Sequence, residues 1–400
     1  MIASASAAHT KAEERRAAGV ACGAHALHDG YTDLIYVMLP IWQNEFGLGF
    51  AALGLMKTVF SGTLAGFQIP AGLLAERFGA PIVLALGTAL AGFGYCLAGF
   101  SSGIATLVAA LFVGGLGAST QHPLASSLIA HAFAGTRSLK ALGTYNFSGD
   151  IGKMTLPAAA SLLFVVLPWR EALILLGGIG VLAAIVIFVL MPRFAAEAGA
   201  PHKSEDAARG GSSLRAYGFP LLLSVGVIDS ATRMAFLTFL PFVLTAKGGS
   251  LPTVGLALTL VFAGGAAGKL VCAFIGARIG AVATVWLTEI VTALGIVALL
   301  PLSLEAALVL LPLVGIALNG TSSVLYGSVP DLVQPSRRQR AFGIFYTGTI
   351  GAGAISPALY GLLGDAAGVP SALMVVAAGV LLTLPITLAL RPALANAGAS

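Results

Sequence analysis

Charge is what this chain has least of. Only 9% of its 400 residues are Asp, Glu, Lys or Arg, against about a quarter in an ordinary soluble domain. A globule surrounded by water is therefore excluded. Cysteine is scarce too. Cys22, Cys96 and Cys272 are odd in number and widely spaced, so there is no disulfide framework and no cysteine metal site; they read as small core residues. No nucleophile elbow, no His/Cys cluster at metal-ligand spacing and no ATP-binding module is present. The string from Gly264 to Leu270, GGAAGKL, lacks the first Gly and the Ser/Thr of a phosphate loop; its small residues suit close helix packing instead. The Asn319-Gly-Thr321 triplet lies inside an apolar segment and is discounted as a glycosylation acceptor. Enzyme, metal and cofactor chemistry are thus not expected.

What is present is apolar: 58% of the residues are hydrophobic. A membrane-spanning helix needs about 20 mostly apolar residues. Breaks at Gly, Pro and charge clusters leave twelve such segments, near 17–40, 51–75, 80–100, 104–131, 139–166, 170–191, 216–245, 252–276, 281–300, 306–330, 340–364 and 370–390. The expected fold is an all-α membrane protein of twelve transmembrane helices. The polar start, 1–16, lacks an apolar leader and cleavage site, so the first segment reads as a retained span. With that end inside, fifteen Lys and Arg fall in cytoplasmic pieces, and only Arg170 and Lys247 on the other side. That asymmetry implies cytoplasmic termini in a bacterial inner membrane. It also explains the net charge of +5 without nucleic acid.

The longest polar stretch, 193–215, falls at the midpoint and reads as a linker. It divides the chain into a tail (1–16), a six-helix bundle (17–192), the linker, a second bundle (216–391) and a short tail (392–400). The halves resemble each other at an offset near 200. Leu39–Pro40 matches Leu240–Pro241, ERFGA from Glu76 matches ARIGA from Ala277, and Gly143 and Pro157 match Gly343 and Pro357. Such parallel repeats belong to transporters whose site lies near the midplane between the halves.

Nine charged residues sit inside the apolar segments: Asp29, Asp33, Lys57, Asp150, Lys153, Asp229, Arg233, Lys269 and Glu289. At about 2.5 kcal/mol or more each at the bilayer centre, they should face a bundle interior or wet cavity. His25, Asp29 and Asp33 recur every four residues and stack on one helix face. Two like charges there suit a proton carrier; the alternative is structural pairing with basic residues. His28 is one position off that face and reads as structural. Asp150 with Lys153, and Asp229 with Arg233, are spaced for pairs within one helix. Either static pairs or exchanging ones fit. Lys57 and Lys269 lack an acidic neighbour on their own helices and invite a substrate anion or an interhelical bridge. His122, before Pro123, can bind substrate or relay a proton. Gln121, Asn146, Tyr145, Asn319, Tyr326 and Tyr346 are candidate cavity hydrogen-bonders. The role of Glu289 stays open.

Between the second and third segments, PAGLLAERFGA (70–80) resembles the signature loop of the major facilitator superfamily, with Gly72, Arg77 and Gly79 matching and Glu76 standing in for Asp. The second-half copy keeps Arg278. Those residues would latch one conformational state. HALHDGYTDLIYVMLPIWQNEFGLGF (25–50) and GLGASTQHPLASSLIAH (115–131) are similar to the fosmidomycin-resistance-like branch of drug exporters. The resemblance implies the major facilitator fold of two pseudo-symmetric six-helix bundles. The midplane carboxylates and the lack of an ATPase module point to proton coupling, so the expected activity is proton-coupled antiport that exports a small polar anionic or zwitterionic compound by alternating access, in a monomer whose partners are substrate, protons and lipid. Proton/anion symport is the alternative within transport. A sensor or membrane-embedded enzyme on the same scaffold is the alternative of another class.

Overall fold

A computed structural model describes residues 10–133, 136–192, 213–334 and 337–397. Most of the expected linker, 193–212, lies outside the described residues, as do 1–9 and 398–400 of the two tails. Every regular element among the described residues is an α-helix. In the first half these are α1 (Lys11–Phe46), α2 (Phe50–Gly66), α3 (Gln68–Phe78), α4 (Ala80–Gly99), α5 (Ile104–Ala118), α6 (Gln121–Ala132), α7 (Thr136–Val166) and α8 (Trp169–Leu190). The second half has α9 (Ser213–Ala246), α10 (Leu251–Ile279), α11 (Ala281–Leu299), α12 (Leu304–Leu332), α13 (Arg338–Ala367), α14 (Val369–Val380) and α15 (Thr383–Ala397).

Ten spans are long and apolar enough to cross a bilayer, counting α5 with α6 and α14 with α15 as one each. The pair α2 and α3, bent by 42° at Phe67, makes an eleventh. The twelfth is α1. Its 36 residues extend about 54 Å at 1.5 Å per residue, but His25, His28, Asp29 and Asp33 lower its hydropathy. The all-α fold of twelve spans agrees with the sequence expectation. Several boundaries differ: α1 runs on past Pro40 to Phe46, and α9 opens at Ser213, inside the expected linker. A Pro at position 40 costs only one i−4 hydrogen bond, so it need not end a helix held by packing.

The repeat is visible in the backbone. Gly79 (φ +88°) joins α3 to α4 and Gly280 (φ +85°) joins α10 to α11, 201 residues later. Gly47 (φ +63°) and Gly248 (φ +86°) form a second such pair. All four sit in the left-handed region, where a Cβ costs roughly 1–2 kcal/mol. The chain thus turns the same way at the same place in each half.

The described residues form two compact units. One holds 10–32, 66–156 and 168–192; the other holds 33–65, 157–167 and 213–397. The first has a core of Ala17, Ala21, Val83, Leu84, Leu124, Leu128, Ile129 and Tyr145. The second packs Leu222, Val225, Val285, Leu325, Val329 and Phe345. Within the first unit α1 and α7 touch backbone to backbone. A Cβ on Gly152 would collide with the Ala26 carbonyl, and one on Gly30 would lie 2.6 Å from Leu156 Cβ. In the second unit Gly264 and Gly268 lie as tightly on the Pro312 and Ile316 carbonyls. That is the close packing read from GGAAGKL.

Overpacking a tight helix contact costs about 1–3 kcal/mol. We therefore expect Gly152→Ala to lower the melting temperature of the purified protein measurably. Gly143→Ala, on the same helix with nothing within 4 Å of its would-be Cβ, should leave it unchanged or higher. Equal effects of the two would refute the contact.

Candidate proton and substrate site

The first unit gathers its ionisable groups around one carboxylate. The i, i+4 spacing on α1 puts His25 and Asp29 on one face. The Asp29 side chain is nearly fully buried, and three imidazoles converge on its Oδ1: His25 Nε2 at 3.4 Å, His28 Nε2 at 3.8 Å and His122 Nε2 at 4.0 Å. On its other oxygen, Oδ2, lies Lys153 Nζ at 3.4 Å. His122 comes from the start of α6 and Lys153 from α7. Gly149 makes room for the cluster, since a Cβ there would lie 2.5 Å from Asp29 Oδ2 and 2.7 Å from His25 Cε1.

His25 is held rigidly. Its ring stacks on Tyr145 with centroids 4.0 Å apart, and Nδ1 lies 2.8 Å from the Tyr145 carbonyl oxygen. A carbonyl can only accept, so Nδ1 carries the hydrogen. Nε2 then faces Asp29 Oδ1 as a bare lone pair if the ring is neutral. Two acceptors at 3.4 Å repel unless one of them holds a proton. His25 Nε2 is left buried without a hydrogen-bond partner.

Burial is graded across the site. Asp29, His25 and His28 are buried, whereas the His122 and Lys153 side chains are 37% and 31% exposed. The open groups are the ones that can meet a solute. Donor atoms of His25, Asp29 and His122 fall within 4.8 Å of one another, a spacing that can hold a metal ion. The Lys153 ammonium already supplies positive charge there. Beside the cluster, a cavity of about 10 Å³ is lined by His28, Thr88, Thr120 and Gln121. That is about one water in volume. Gln121 Nε2 and His28 Nε2 are buried without hydrogen-bond partners.

The second unit holds a different set. Lys57, a candidate substrate cation, is 2% exposed and lies 4.4 Å over the Tyr36 ring, a cation–π contact. Tyr36 in turn donates to Met234 Sδ at 3.2 Å. On α9, Asp229 is buried and Arg233 half-buried. Glu289 is 1% exposed. Neither its Oε1 nor Arg233 Nε has a hydrogen-bond partner. Glu289 thus faces the interior of the second unit rather than lipid.

The remaining sequence candidates differ in burial. Asp33 and Asp150 are buried, Asn146 and Tyr346 are exposed, and Lys269 is half-buried on α10. Tyr346 packs on Tyr326 at 5.3 Å. Asn319 spends its amide on the Gly315 carbonyl at 3.2 Å. In the signature loop, Glu76 and Arg77 are exposed, Gly72 is half-buried, and Gly79 forms the joint between α3 and α4. The Arg77 guanidinium lies over Phe78 of its own helix, and Arg278 likewise over Phe274. His28, read from the sequence as structural, reaches Asp29 from one position along the helix. An apolar groove of about 370 Å³ between Phe67, Leu74, Phe78, Leu86 and Leu90 carries no charged group.

Comparison with known proteins places this geometry. The sequence pattern of the Major Facilitator Superfamily matches residues 21–225 and again 222–397. The chain is 24% identical to the fosmidomycin resistance protein of Escherichia coli K12 over 91% of this chain and 90% of that one. It is 27% identical to a protein of Cupriavidus necator named "Probable sulfoacetate transporter SauU", over 82% of each. Among solved structures it resembles a bacterial homolog of the human lysosomal transporter Spinster, in an inward-facing and unoccupied conformation. The TM-score is 0.78 at 14% identity, covering 97% of this chain and 99% of that one.

A buried charge stripped of its partner costs several kcal/mol, less where water reaches. Lys153→Met should therefore destabilise the protein by about 1–3 kcal/mol, and adding Asp29→Asn should recover most of it. Thermal unfolding of the four members of this cycle measures the coupling. Strictly additive effects would show that the two groups do not pair.

Proposed function

The chain belongs to the major facilitator superfamily of membrane transporters, and on that footing we propose that it carries a small organic anion or zwitterion, coupled to protons, by alternating access. The observation that carries this reading is the Asp29 cluster. A carboxylate and an imidazole at 3.4 Å need a shared proton, and the Lys153 ammonium beside them is open to a solute. Arg233, with an uncommitted Nε, offers a second cation to the substrate. A protein named for sulfoacetate, itself an anion, is among the relatives, which supports an anionic substrate. Similarity to a resistance protein supports export, hence antiport.

One observation favours uptake by symport instead. An anion that draws Lys153 away leaves Asp29 short of its cation, and a proton on Asp29 compensates. Anion and proton then bind with the same sign of linkage. The fifteen-to-two distribution of Lys and Arg supports cytoplasmic termini in a bacterial inner membrane, with two six-helix bundles, 17–192 and 216–391, as the moving bodies.

Reconstituted into proteoliposomes, the protein should move an organic anion in response to a pH gradient. Asp29→Asn should cut gradient-driven flux at least tenfold while keeping substrate counterflow. Wild-type coupling in this variant would remove Asp29 from the proton path. Arg233→Gln should raise KM for anionic substrates about tenfold, as expected for loss of a charge-assisted hydrogen bond. An unchanged KM would return Arg233 to a structural role.

A further inference from the structure

The first residues of α2 are capped from a helix more than three hundred positions away. Gly49, which precedes α2, has no side chain to accept its free N–H groups. The Asp365 carboxylate near the end of α13 does so instead: Phe50 N–H donates to Oδ1 at 2.5 Å and Ala51 N–H to Oδ2 at 3.0 Å. The approach needs glycine at 49, since a Cβ there would lie 2.8 and 2.9 Å from the two carboxylate oxygens. It combines hydrogen bonds with a negative charge at a helix N-terminus, where the dipole favours it.

The cap heads a ladder. One turn on, Gly361 faces the Phe50 carbonyl so closely that a Cβ would lie 2.5 Å from it. Next, a Cβ on Gly54 would collide with the Pro357 carbonyl. Then Thr58 Oγ1 donates to the Ala354 carbonyl at 2.6 Å. Residues 50, 54 and 58 thus meet 365, 361, 357 and 354, an antiparallel seam of small residues within the second compact unit. In sequence, α2 belongs to the first six-helix half and α13 to the second. Alternating access requires contacts between halves to break on the face that opens. The seam is such a contact, and Asp365 is its only ionised member.

We propose that Asp365 is a positioning residue of the transport cycle: its carboxylate, capping α2, latches shut the face of the protein on which α1 ends and α2 begins. This rests on the two-body transport reading above. The Arg77 and Arg278 side chains of the signature loops, expected to latch the opposite face, stack on Phe78 and Phe274 instead. Substrate does not touch Asp365; it acts through the helix it holds.

The test uses full-length protein with Cys22, Cys96 and Cys272 replaced by Ala and spin labels at Asn44→Cys and Ser250→Cys, both exposed. In this background the distance distribution should be dominated by a short, closed population. Asp365→Asn, which keeps the shape and removes the charge, should raise the ratio of long to short distances about two- to fivefold. Asp365→Glu should stay close to the parent. A distribution for Asp365→Asn that superimposes on the parent would overturn the assignment. So would loss of monodispersity in that variant, since the carboxylate would then be a folding element. The readout needs neither substrate nor a proton gradient. A shifted distribution in a protein that moves no anion would count against the transport reading and leave the latch standing.

Discussion

A carboxylate withdrawn from water in the middle of a membrane-spanning helix governs the rest of this molecule. Left alone, Asp29 would cost several kcal/mol. The surrounding groups are what that cost demands: an ammonium on one oxygen, three imidazole nitrogens on the other, and an aromatic ring fixing the nearest imidazole. The demand reaches the backbone. Lys153 can arrive only if α7 lies against α1, and that approach is possible because 149 and 152 are glycines. The same polar residues make α1 too hydrophilic to pass as a span on its own. It is held in the bilayer by its neighbours.

Transport follows from how these groups can be satisfied rather than from their number. Ordinary ion pairs would be static. Here His25 Nε2 lies 3.4 Å from Asp29 Oδ1 with no hydrogen-bond partner, and the Lys153 and His122 side chains are partly exposed. A site so arranged has several near-equal ways to neutralise itself, by a proton, by its own lysine, or by a solute that exchanges with one of them. Such bistability is what couples binding to a change of state.

Much of the architecture was legible from residue order alone. Apolar length and charge breaks located the spans, and the ERFGA and ARIGA strings located the joints at Gly79 and Gly280. The face shared by His25 and Asp29 followed from a spacing of four. Pairing between helices was not legible, because periodicity reports which face a residue occupies and not which helix lies opposite. So Lys153, read against its own neighbour Asp150, turned out to meet Asp29 across a helix interface. Lys57, read as a cation in search of a carboxylate, lies over an aromatic ring. Glu289 had no assignable face until its burial showed that it points inward. The break at Phe67 follows Gly66, whereas the one at 119–120 has no Gly or Pro at the bend to announce it.

The repeat divides labour in a way its sequence trace already contains. At an offset of 201, backbone hinges correspond: Gly47 to Gly248, Gly79 to Gly280. Arg77 corresponds to Arg278 as well, but most ionisable residues inside the spans meet a neutral residue. Glu289 falls opposite Thr88, His122 opposite Ser323, Lys57 opposite Leu258 and His25 opposite Gly226. A scaffold with matching hinges in both halves can reach two conformations of similar energy, which alternation requires. An equally symmetric charge set would bind a solute alike in both halves and give it no preferred orientation. Placing the Asp29 cluster on one repeat and Arg233 with the buried Glu289 on the other breaks that degeneracy. The backbone keeps the symmetry of the repeat, while the charged groups depart from it.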